Sequence, residues 1–494
     1  MNILLLSMPD SFEHTPTVTI RMPNGALTSL AGNIDPHHRI AVADLVLVQQ
    51  HIRATIEHLM KIQPELVGLS VMTFQRKTAK KIIELLRSLR PGLRVIVGGY
   101  DPSMAPEAYT CSDVDFIVRG EGEITFRELV RAIETDRGYE RILGLSYREA
   151  NRFHHNPDRP VSDLDSREIR LPNRDARVLS GYTMLGRQVD VVETSRGCTF
   201  DCSFCSIIAM RGRQFHTYSF DRVLEDIRDA RNHGAEAIFL VDDNITLNVS
   251  RFEALCRGII DAQLNHLDYI VQAMTSAIAN HGETLVPLMR KAGFRYVFLG
   301  IENILEEDLN FLRASSKNAW REKGRKLGNA AIQAIEALHQ HKMYVVGGLI
   351  VGNPGDTRES IETNLDFARR YVDWPYIQHP TPYPRTPMTK DFYERGLIIN
   401  ENSEEYDGTT AVVRTDHLPA EEVEFLRWRA ERWMKLRHLP AVLFHSPWFT
   451  LCNAPKMLAH IFRGVTIKSL LGLEDEKKVF ERYRAIRKAE RAYV

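Results

Sequence analysis

Three cysteines stand within eight residues in the segment ETSRGCTFDCSFCSI (193–207): Cys198, Cys202 and Cys205, spaced C-x3-C-x2-C. Thiolates bind soft and borderline metals, and three so close together can converge on one centre. On a cubane 4Fe–4S cluster, three protein thiolates leave one iron open to a substrate or cofactor. A structural zinc site competes with this reading. It needs a closed set of four ligands, for which His216 is the available fourth, although the spacing is unusual for zinc. Three unrelated buried cysteines are the other alternative, but clustering directly after Arg196-Gly197 at a strand end speaks against it. Cys111, Cys256 and Cys452 are isolated and read as small buried hydrophobes.

Such a cluster needs a scaffold that presents a loop at a strand end. From residue 189 the chain alternates short apolar runs with helix-patterned stretches: VDVVETS (189–195), AIFLVD (237–242), YIVQAM (269–274), RYVFLG (295–300), MYVVGGLIV (343–351) and YIQHPT (376–381). Helix patterns fill the gaps, for example at 219–232, 250–263 and 358–371. These make six β/α units, fewer than the eight of a closed barrel. An earlier alternation runs through NILLLS (2–7), IAVADL (40–45), LVGLSV (66–71), RVIVGG (94–99) and DFIVRG (115–120), with amphipathic helices between. Apolar runs of this length are the pattern of parallel strands buried on both faces, so a doubly wound sheet is expected. Residues 143–157 read as a closing hairpin with Asn151 at its turn. Residues 158–188, polar and with Pro160 and Pro172, read as a linker. The expected organisation is an α/β chain: a Rossmann-like domain over 1–150, a linker over 151–188, a partial barrel over 189–400 and a helical region over 401–494.

The cysteine segment resembles the signature of the radical S-adenosylmethionine (SAM) superfamily, C-x3-C-x2-aromatic-C, with Phe204 at the aromatic place. It stands after the first barrel strand, as that family's partial (β/α)6 barrel requires. The resemblance implies that Cys198, Cys202 and Cys205 hold a 4Fe–4S cluster whose open iron chelates the amine and carboxylate of SAM. Reduction then cleaves SAM to a 5′-deoxyadenosyl radical. Further positions match the family more loosely as SAM contacts. Asp242-Asp243-Asn244 ends the second strand, where the family has a Gly-Gly-Glu-like motif from which this chain departs; a helix N-cap and turn is the plain alternative. Glu302 lies in a G-I-E-[SN]-like segment. Gly348, Ile350 and Gly352 fit a G-x-I-x-G pattern near adenine, where glycine lets backbone approach a flat ligand.

In the first domain, Ser70, Met72 and Thr73 follow one strand, and Gly98-Gly99-Tyr100-Asp101 follow the next. Small residues at adjacent strand ends leave a crevice at the carboxyl edge of the sheet. Together with Arg119-Gly120-Glu121-Gly122-Glu123, they resemble the cobalamin-binding domain that precedes many radical SAM barrels. The resemblance implies cobalamin contacts at Ser70, Met72, Thr73, Gly98, Gly99, Tyr100, Asp101, Glu121 and Gly122. Asp101 stands where such proteins often have His, and there is no D-x-H-x-x-G motif, so base-off cobalamin without a His ligand is expected. A domain that keeps the fold and binds no cobalamin is the alternative. Arg119–Glu123 reads equally as a charged loop or as a contact with the barrel.

The 64 basic and 64 acidic residues leave no net charge, which argues against bulk binding to nucleic acid. Six cysteines in 494 residues exclude a disulfide-dense secreted scaffold. With no signal-peptide pattern at MNILLLSMPD and no spanning run, a cytoplasmic location is expected. In the C-terminal region, Trp428, Trp433, Trp448 and Phe449 with Arg427, Arg429, Arg432, Lys435 and Arg437 read as packing aromatics with basic flanks, or as a pocket for an anionic or amphipathic substrate. The apolar run at 439–449 and the basic excess suggest grazing contact with a membrane surface.

By resemblance, the expected activity is a cobalamin-dependent radical SAM methyltransferase acting on an unactivated carbon. One SAM methylates cobalamin to methylcobalamin, and a second yields the radical that takes hydrogen from the substrate. The expected partners are a small-molecule or lipid-like substrate and an electron donor such as flavodoxin or ferredoxin. The rival expectation is an oxidative cyclase or a rearrangement enzyme without methyl transfer.

Overall fold

The computed structural model describes residues 1–9, 19–110, 113–150, 152–164, 166, 168–322, 324–445 and 447–490, with the side chains of 438–442, 444, 445 and 490 outside that description. Cys111 and Asn151 therefore lie outside the described residues, as does part of the apolar run 439–449.

The first strands are β1 (Asn2–Ser7), β2 (Ile20–Arg21), β3 (Arg39–Asp44), β4 (Leu66–Ser70), β5 (Arg94–Gly98), β6 (Phe116–Val118), β7 (Leu145–Glu149) and β8 (Arg152–His155). All but β2 form one sheet in the order β3-β1-β4-β5-β6-β7-β8. Its first five strands are parallel, and β7 and β8 close it as an antiparallel hairpin. The unbroken apolar runs have a direct physical reason. Leu4 and Leu6 enter the core on one face, with Val67, Leu69, Val95 and Val97. Ile3 and Leu5 enter the core on the other, with Leu66 and Ile96. Successive side chains point to opposite faces, so a strand covered on both sides must be apolar throughout.

The second sheet is built from β9 (Thr183–Met184), β10 (Arg187–Val192), β13 (Ala237–Leu240), β14 (Asp268–Met274), β15 (Phe294–Glu302), β18 (Tyr344–Ile350) and β19 (Trp374–Gln378). Two hairpins stand outside it: β11 (Ser195–Arg196) with β12 (His216–Thr217), and β16 (Ala319–Glu322) with β17 (Arg325–Asn329). The sheet order is β19-β18-β15-β14-β13-β10-β9-β2. The six strands from β10 to β19 are all parallel, which makes the expected open half-barrel. β2 was not legible in the sequence: two residues from the first domain's stretch of chain extend the barrel sheet by pairing with β9. The helices of the alternation form close to where their patterns place them, at Phe220–Asn232, Val249–Asp261 and Arg358–Tyr371. The last begins at a capping box between Thr357 and Ser360, which satisfies backbone N–H groups that the first turn leaves orphaned.

The segment read as a polar linker is packed into the protein. Leu164 and Ile169 belong to the barrel's core, and Ala176 belongs to that of the first domain. Arg174 is buried, donating to Asp190 at 3.0 Å, Asp226 at 2.6 Å and Asp229 at 2.7 Å. The three carboxylates come from β10 and from the first barrel helix. Polarity in this segment reflects paired interior charge rather than solvation, a distinction that composition does not carry.

The C-terminal region is helical, as expected, with helices Ala420–His445, Pro447–Ile461 and Glu476–Glu490. Trp428 is buried against Phe425, Phe480 and Tyr483, which makes it a packing aromatic. Arg427 is buried against Glu431 and the Ile377 carbonyl. Trp433 and Trp448 are exposed. Among the described residues, no helix is long and apolar enough to cross a membrane.

Candidate functional site between the two sheets

The cysteine loop leaves the C-terminal end of β10 through the β11–β12 hairpin. Gly197 sits at φ +89°, and a Cβ there would collide with the Gln214 carbonyl oxygen, so glycine is required where the loop turns in front of Cys198. The two aspartates after β13 hold this loop. Asp242 accepts from the Thr194 backbone N–H at 2.7 Å and from the Thr194 and Ser195 hydroxyls. Burial pushes its carboxyl up to about 6, against those hydrogen bonds. Asp243 accepts from the Gly197 N–H at 2.7 Å and pairs with Arg211 at 3.2 Å. Asn244 reaches the cysteine loop directly, its Nδ2 lying 3.5 Å from Cys198 Sγ. The departure from a Gly-Gly-Glu motif thus has a local reason: both carboxylates are committed to the loop.

Cys202 is buried beside Ile350, Leu312 and Phe392, with Phe200, Phe204 and Cys205 against the same cluster. Packing in this apolar wall pushes the Cys202 thiol up to about 11 and the Cys205 thiol up to about 12. Thiolates there need a neighbouring positive charge, which a bound metal centre supplies. The donor set fits a cluster better than zinc. Among the described residues, the three sulfurs do not all come within 4.8 Å of one another. Tetrahedral zinc with 2.3 Å bonds would draw them to about 3.8 Å. His216 faces Gln214 at 2.7 Å instead of joining the cysteines.

Lys317 stands at the candidate site without any signal in the sequence. It comes from the stretch before β16, carries no motif, and is brought to the site only by the tertiary fold. Its ammonium pairs with Glu302 and stands 5.6 Å from the Phe204 ring centroid. Burial opposes this charge, but the Glu302 carboxylate and the Cys202 thiol beside it hold Lys317 above its ordinary range. Glu302 itself has φ +59°, at a point where the β15–β18 register shifts. A glutamate in that region of backbone is uncommon and marks a side chain held in place by its surroundings. Gly348 lies under Phe298, whose ring a Cβ would meet at 3.0 Å, so this glycine admits the Phe298 side chain. Gly352 has a different role from the one its motif suggests. A Cβ there would meet Val423 at 2.6 Å, so this glycine admits the helix Ala420–His445.

His379, just past β19, is buried, with Nδ1 3.0 Å from the Val351 carbonyl oxygen and no partner at Nε2 among the described residues. Burial and the field of Arg427 push it down to about 3. The unfolded chain takes up this proton near 6.5 and the folded chain does not. The stabilisation is therefore complete above pH 6.5, and it falls by about 1.4 kcal/mol per pH unit from there toward pH 3. In urea unfolding, the His379→Gln variant is expected to show a flatter pH dependence between 6.5 and 4; an unchanged slope refutes the assignment.

In the first domain, the crevice at the carboxyl edge is present. Gly99 takes φ +93°, and a Cβ there would press on Ser70 Oγ and the Val71 N–H, both at 3.0 Å, filling the space between β4 and β5. The Thr73 hydroxyl is buried there without a hydrogen-bond partner among the described residues, and a polar ligand would satisfy it. The other positions divide. Met72 is a turn residue whose N–H donates to Gln75. Asp101 is buried and fully engaged, taking both Arg76 nitrogens at 2.7 Å and the Tyr109 hydroxyl at 2.6 Å. Its carboxylate holds the domain together. Gly122 admits Leu30.

Glu121 and Glu123 meet the barrel. Arg196, two residues before Cys198, pairs with the buried carboxylates of Glu123 at 2.6 Å and Glu121 at 3.3 Å and with the part-exposed Glu193 at 2.8 Å. Glu121 also accepts the Ser162 N–H at 2.9 Å. Of the two readings of Arg119–Glu123, the contact with the barrel is the one found. The carboxyl edges of the two sheets therefore face each other. Tyr100, from the Gly-Gly loop, lies beside Ser206 and Cys205, and its ring meets Tyr383 edge-on at 6.0 Å.

A doubly wound crevice facing a three-cysteine loop on a half-barrel defines a class, and comparison with known families agrees with it. The B12 binding domain family matches residues 22–130, and the Radical SAM superfamily matches residues 192–368. The chain thus combines a B12-binding domain with a radical SAM domain behind it. An uncharacterized methyltransferase of Pyrococcus horikoshii is 28% identical over 435 residues, covering 87% of this chain and 91% of that one. An anaerobic magnesium-protoporphyrin IX monomethyl ester cyclase of Synechocystis sp. is 25% identical over 447 residues (88% and 84%). The bacteriochlorophyllide d C-8(2)-methyltransferase of Chlorobaculum tepidum is 24% identical over 471 residues (93% of each). Among solved structures, the cobalamin-dependent S-adenosylmethionine radical enzyme OxsB superposes with a TM-score of 0.67 at 18% identity, covering 100% of this chain and 71% of that one. The radical S-adenosylmethionine methyltransferase TsrM from Kitasatospora setae gives 0.62 at 20% (80% and 78%). These two likenesses establish the fold.

Proposed function

We propose that this protein is a cobalamin-dependent radical SAM methyltransferase that adds a methyl group to an unactivated carbon of a small-molecule substrate. Its cofactors are a 4Fe–4S cluster, SAM and cobalamin. The observation that carries the reading is the meeting of the two carboxyl edges, with Tyr100 of the first crevice beside Cys205 and Tyr383. A methyl source and a radical source must reach the same substrate carbon, and this arrangement brings their loops together. When bound, the cluster and SAM supply a 5′-deoxyadenosyl radical, and the corrinoid supplies the methyl group.

The chain's own residues position and shield. Cys198, Cys202 and Cys205 would hold the cluster. Asp242 and Asp243 fix their loop, and Asn244 lies against Cys198. Lys317 and Glu302 place a paired charge beside the cysteines, suited to the carboxylate and amine of SAM. Phe200, Phe204, Ile350 and Phe392 pack an apolar wall against Cys202 and Cys205. Ser70, Thr73, Gly98, Gly99 and Tyr100 line the crevice assigned to cobalamin.

The test is product analysis of the anaerobically reconstituted protein with SAM, cobalamin and a reductant. Methyl transfer releases S-adenosylhomocysteine as well as 5′-deoxyadenosine. Formation of 5′-deoxyadenosine alone would favour the cyclase reading, consistent with the Synechocystis relative, and would overturn methyl transfer. Release of neither product would overturn both.

A further inference from the structure

The C-terminal region carries a surface that the proposed chemistry does not use. Helix Pro447–Ile461 is apolar on two faces. Thr450, Met457 and Ile461 turn inward, and Met457 packs with Phe449 on Leu185 and Trp374. Leu185 precedes β10 and Trp374 begins β19, so the helix seals the end of the half-barrel opposite the cysteines. Trp448, Leu451, Pro455 and Leu458 recur at helical spacing on the outer face and are exposed.

Beyond it, the chain makes a tip whose outward residues are Ile467, Leu470, Leu471 and Leu473, each between 66% and 77% exposed. This tip is held firmly. Thr466 and Ser469 form a capping box under Ile467–Leu470. Arg482 clamps Glu474 with bonds of 2.6 and 2.7 Å and donates to the Gly464 carbonyl at 2.9 Å. Gly464 at φ +81° lets the chain press against the final helix, where a Cβ would meet backbone at 2.9 Å. A rigid support that presents four large aliphatic side chains to water needs an occupant.

The charge pattern says which occupant. From 432 to 473 the sequence contains Arg432, Lys435, Arg437, Lys456, Arg463 and Lys468 and no acidic residue at all, in a chain whose two signs are otherwise equal. Exposed Leu, Ile and Trp with Lys456, Arg463 and Lys468 among them match the interfacial zone of a bilayer with anionic headgroups; the acidic run 474–476 begins only past the tip, and Glu474 is tied to Arg482. A second copy of the chain fits poorly, because a two-fold interface would bring like cations together. An acidic protein would satisfy the cations but not the aliphatic tip.

We propose that helix Pro447–Ile461 and the 466–473 tip dock the enzyme on an anionic membrane surface, with the barrel's sealed end toward the lipid. The docking is independent of the reaction proposed above.

The test is co-sedimentation of the full-length holoprotein with phosphatidylcholine vesicles, with and without phosphatidylglycerol. Binding is expected on the anionic vesicles and should weaken as salt rises. The Leu470→Asp/Leu471→Asp variant should lose at least tenfold in partition. The Lys456→Glu/Lys468→Glu variant should lose a similar factor on anionic vesicles only, at about fivefold or more per charge. Circular dichroism and SAM cleavage, both unchanged, show that the variants are folded. Equal sedimentation of all three proteins would overturn the proposal. So would a solution dimer that the aspartate variant dissociates, or retention by acidic flavodoxin without vesicle binding.

Discussion

The Cys202→Ala variant is expected to purify with near-zero iron in place of about four irons per chain, without the brown absorption of a cluster, and with SAM cleavage at background. Its folding should survive, since one buried thiol exchanged for a methyl group costs about 1 kcal/mol. The first domain is a separate sheet with its own two cores, so corrinoid binding should persist in this variant. Selective loss distinguishes a missing ligand from a damaged fold. Cys256→Ala is the matching control. That thiol is equally buried, but it lies in the barrel core among Phe252, Leu255 and Ile259. It should leave iron, colour and cleavage intact. Retained SAM cleavage in Cys202→Ala, or loss of the cluster in Cys256→Ala, would refute the assignment of ligands.

Arg196→Met should destabilise the protein by about 3–5 kcal/mol, because it strands buried carboxylates that have lost their cation. Glu123 is the most dependent of them. Burial raises its carboxyl, but Arg196 and the Ser29 hydroxyl, 2.9 Å away, outweigh this and bring it down to about 2. Its folded value is depressed, so the pairing stabilises fully above the ordinary carboxylate range near 4.5. That stabilisation is lost as pH falls through about 2. The variant should unfold at lower urea at neutral pH and show less further loss between pH 4.5 and 2 than the parent. Because Arg196 joins Glu121 and Glu123 of one domain to Glu193 and the cysteine loop of the other, proteolysis between the domains should accelerate as well. An unchanged urea midpoint at neutral pH would show that the clasp is unimportant.

Much of the architecture was legible because each domain is built from period and punctuation. Runs buried on both faces name parallel strands, and the helix-spaced pattern over 358–371 names a helix that forms at Arg358–Tyr371. Small residues at the ends of the strands over 66–71 and 94–99 mark the crevice at the carboxyl edge of the first sheet. The three cysteines were legible for a related reason: a metal cluster needs its ligands on one loop, so their spacing is written contiguously.

What the sequence could not disclose was which charges pair. Asp242 and Asp243 look like ligand contacts and prove to be braces for the cysteine loop. Asp101 looks like a cobalamin contact in the Gly-Gly loop and is consumed by Arg76 and Tyr109. Arg174 looks like part of a solvated linker and is buried among three aspartates. Lys317 has no motif and reaches Glu302 only because the chain returns after β15.

By itself, then, the sequence determined the class: two parallel α/β layers and a three-thiolate site on the second. Those properties depend on local periodicity and on ligands close together in the chain. Only the tertiary structure decided that the two carboxyl edges meet through Arg196 and Tyr100, which polar groups are taken by partners, and that an apolar tip projects from the C-terminal region. Those depend on side chains distant in sequence finding one another in a medium of low dielectric. There, pairing or burial of each charge is settled by its neighbours in space.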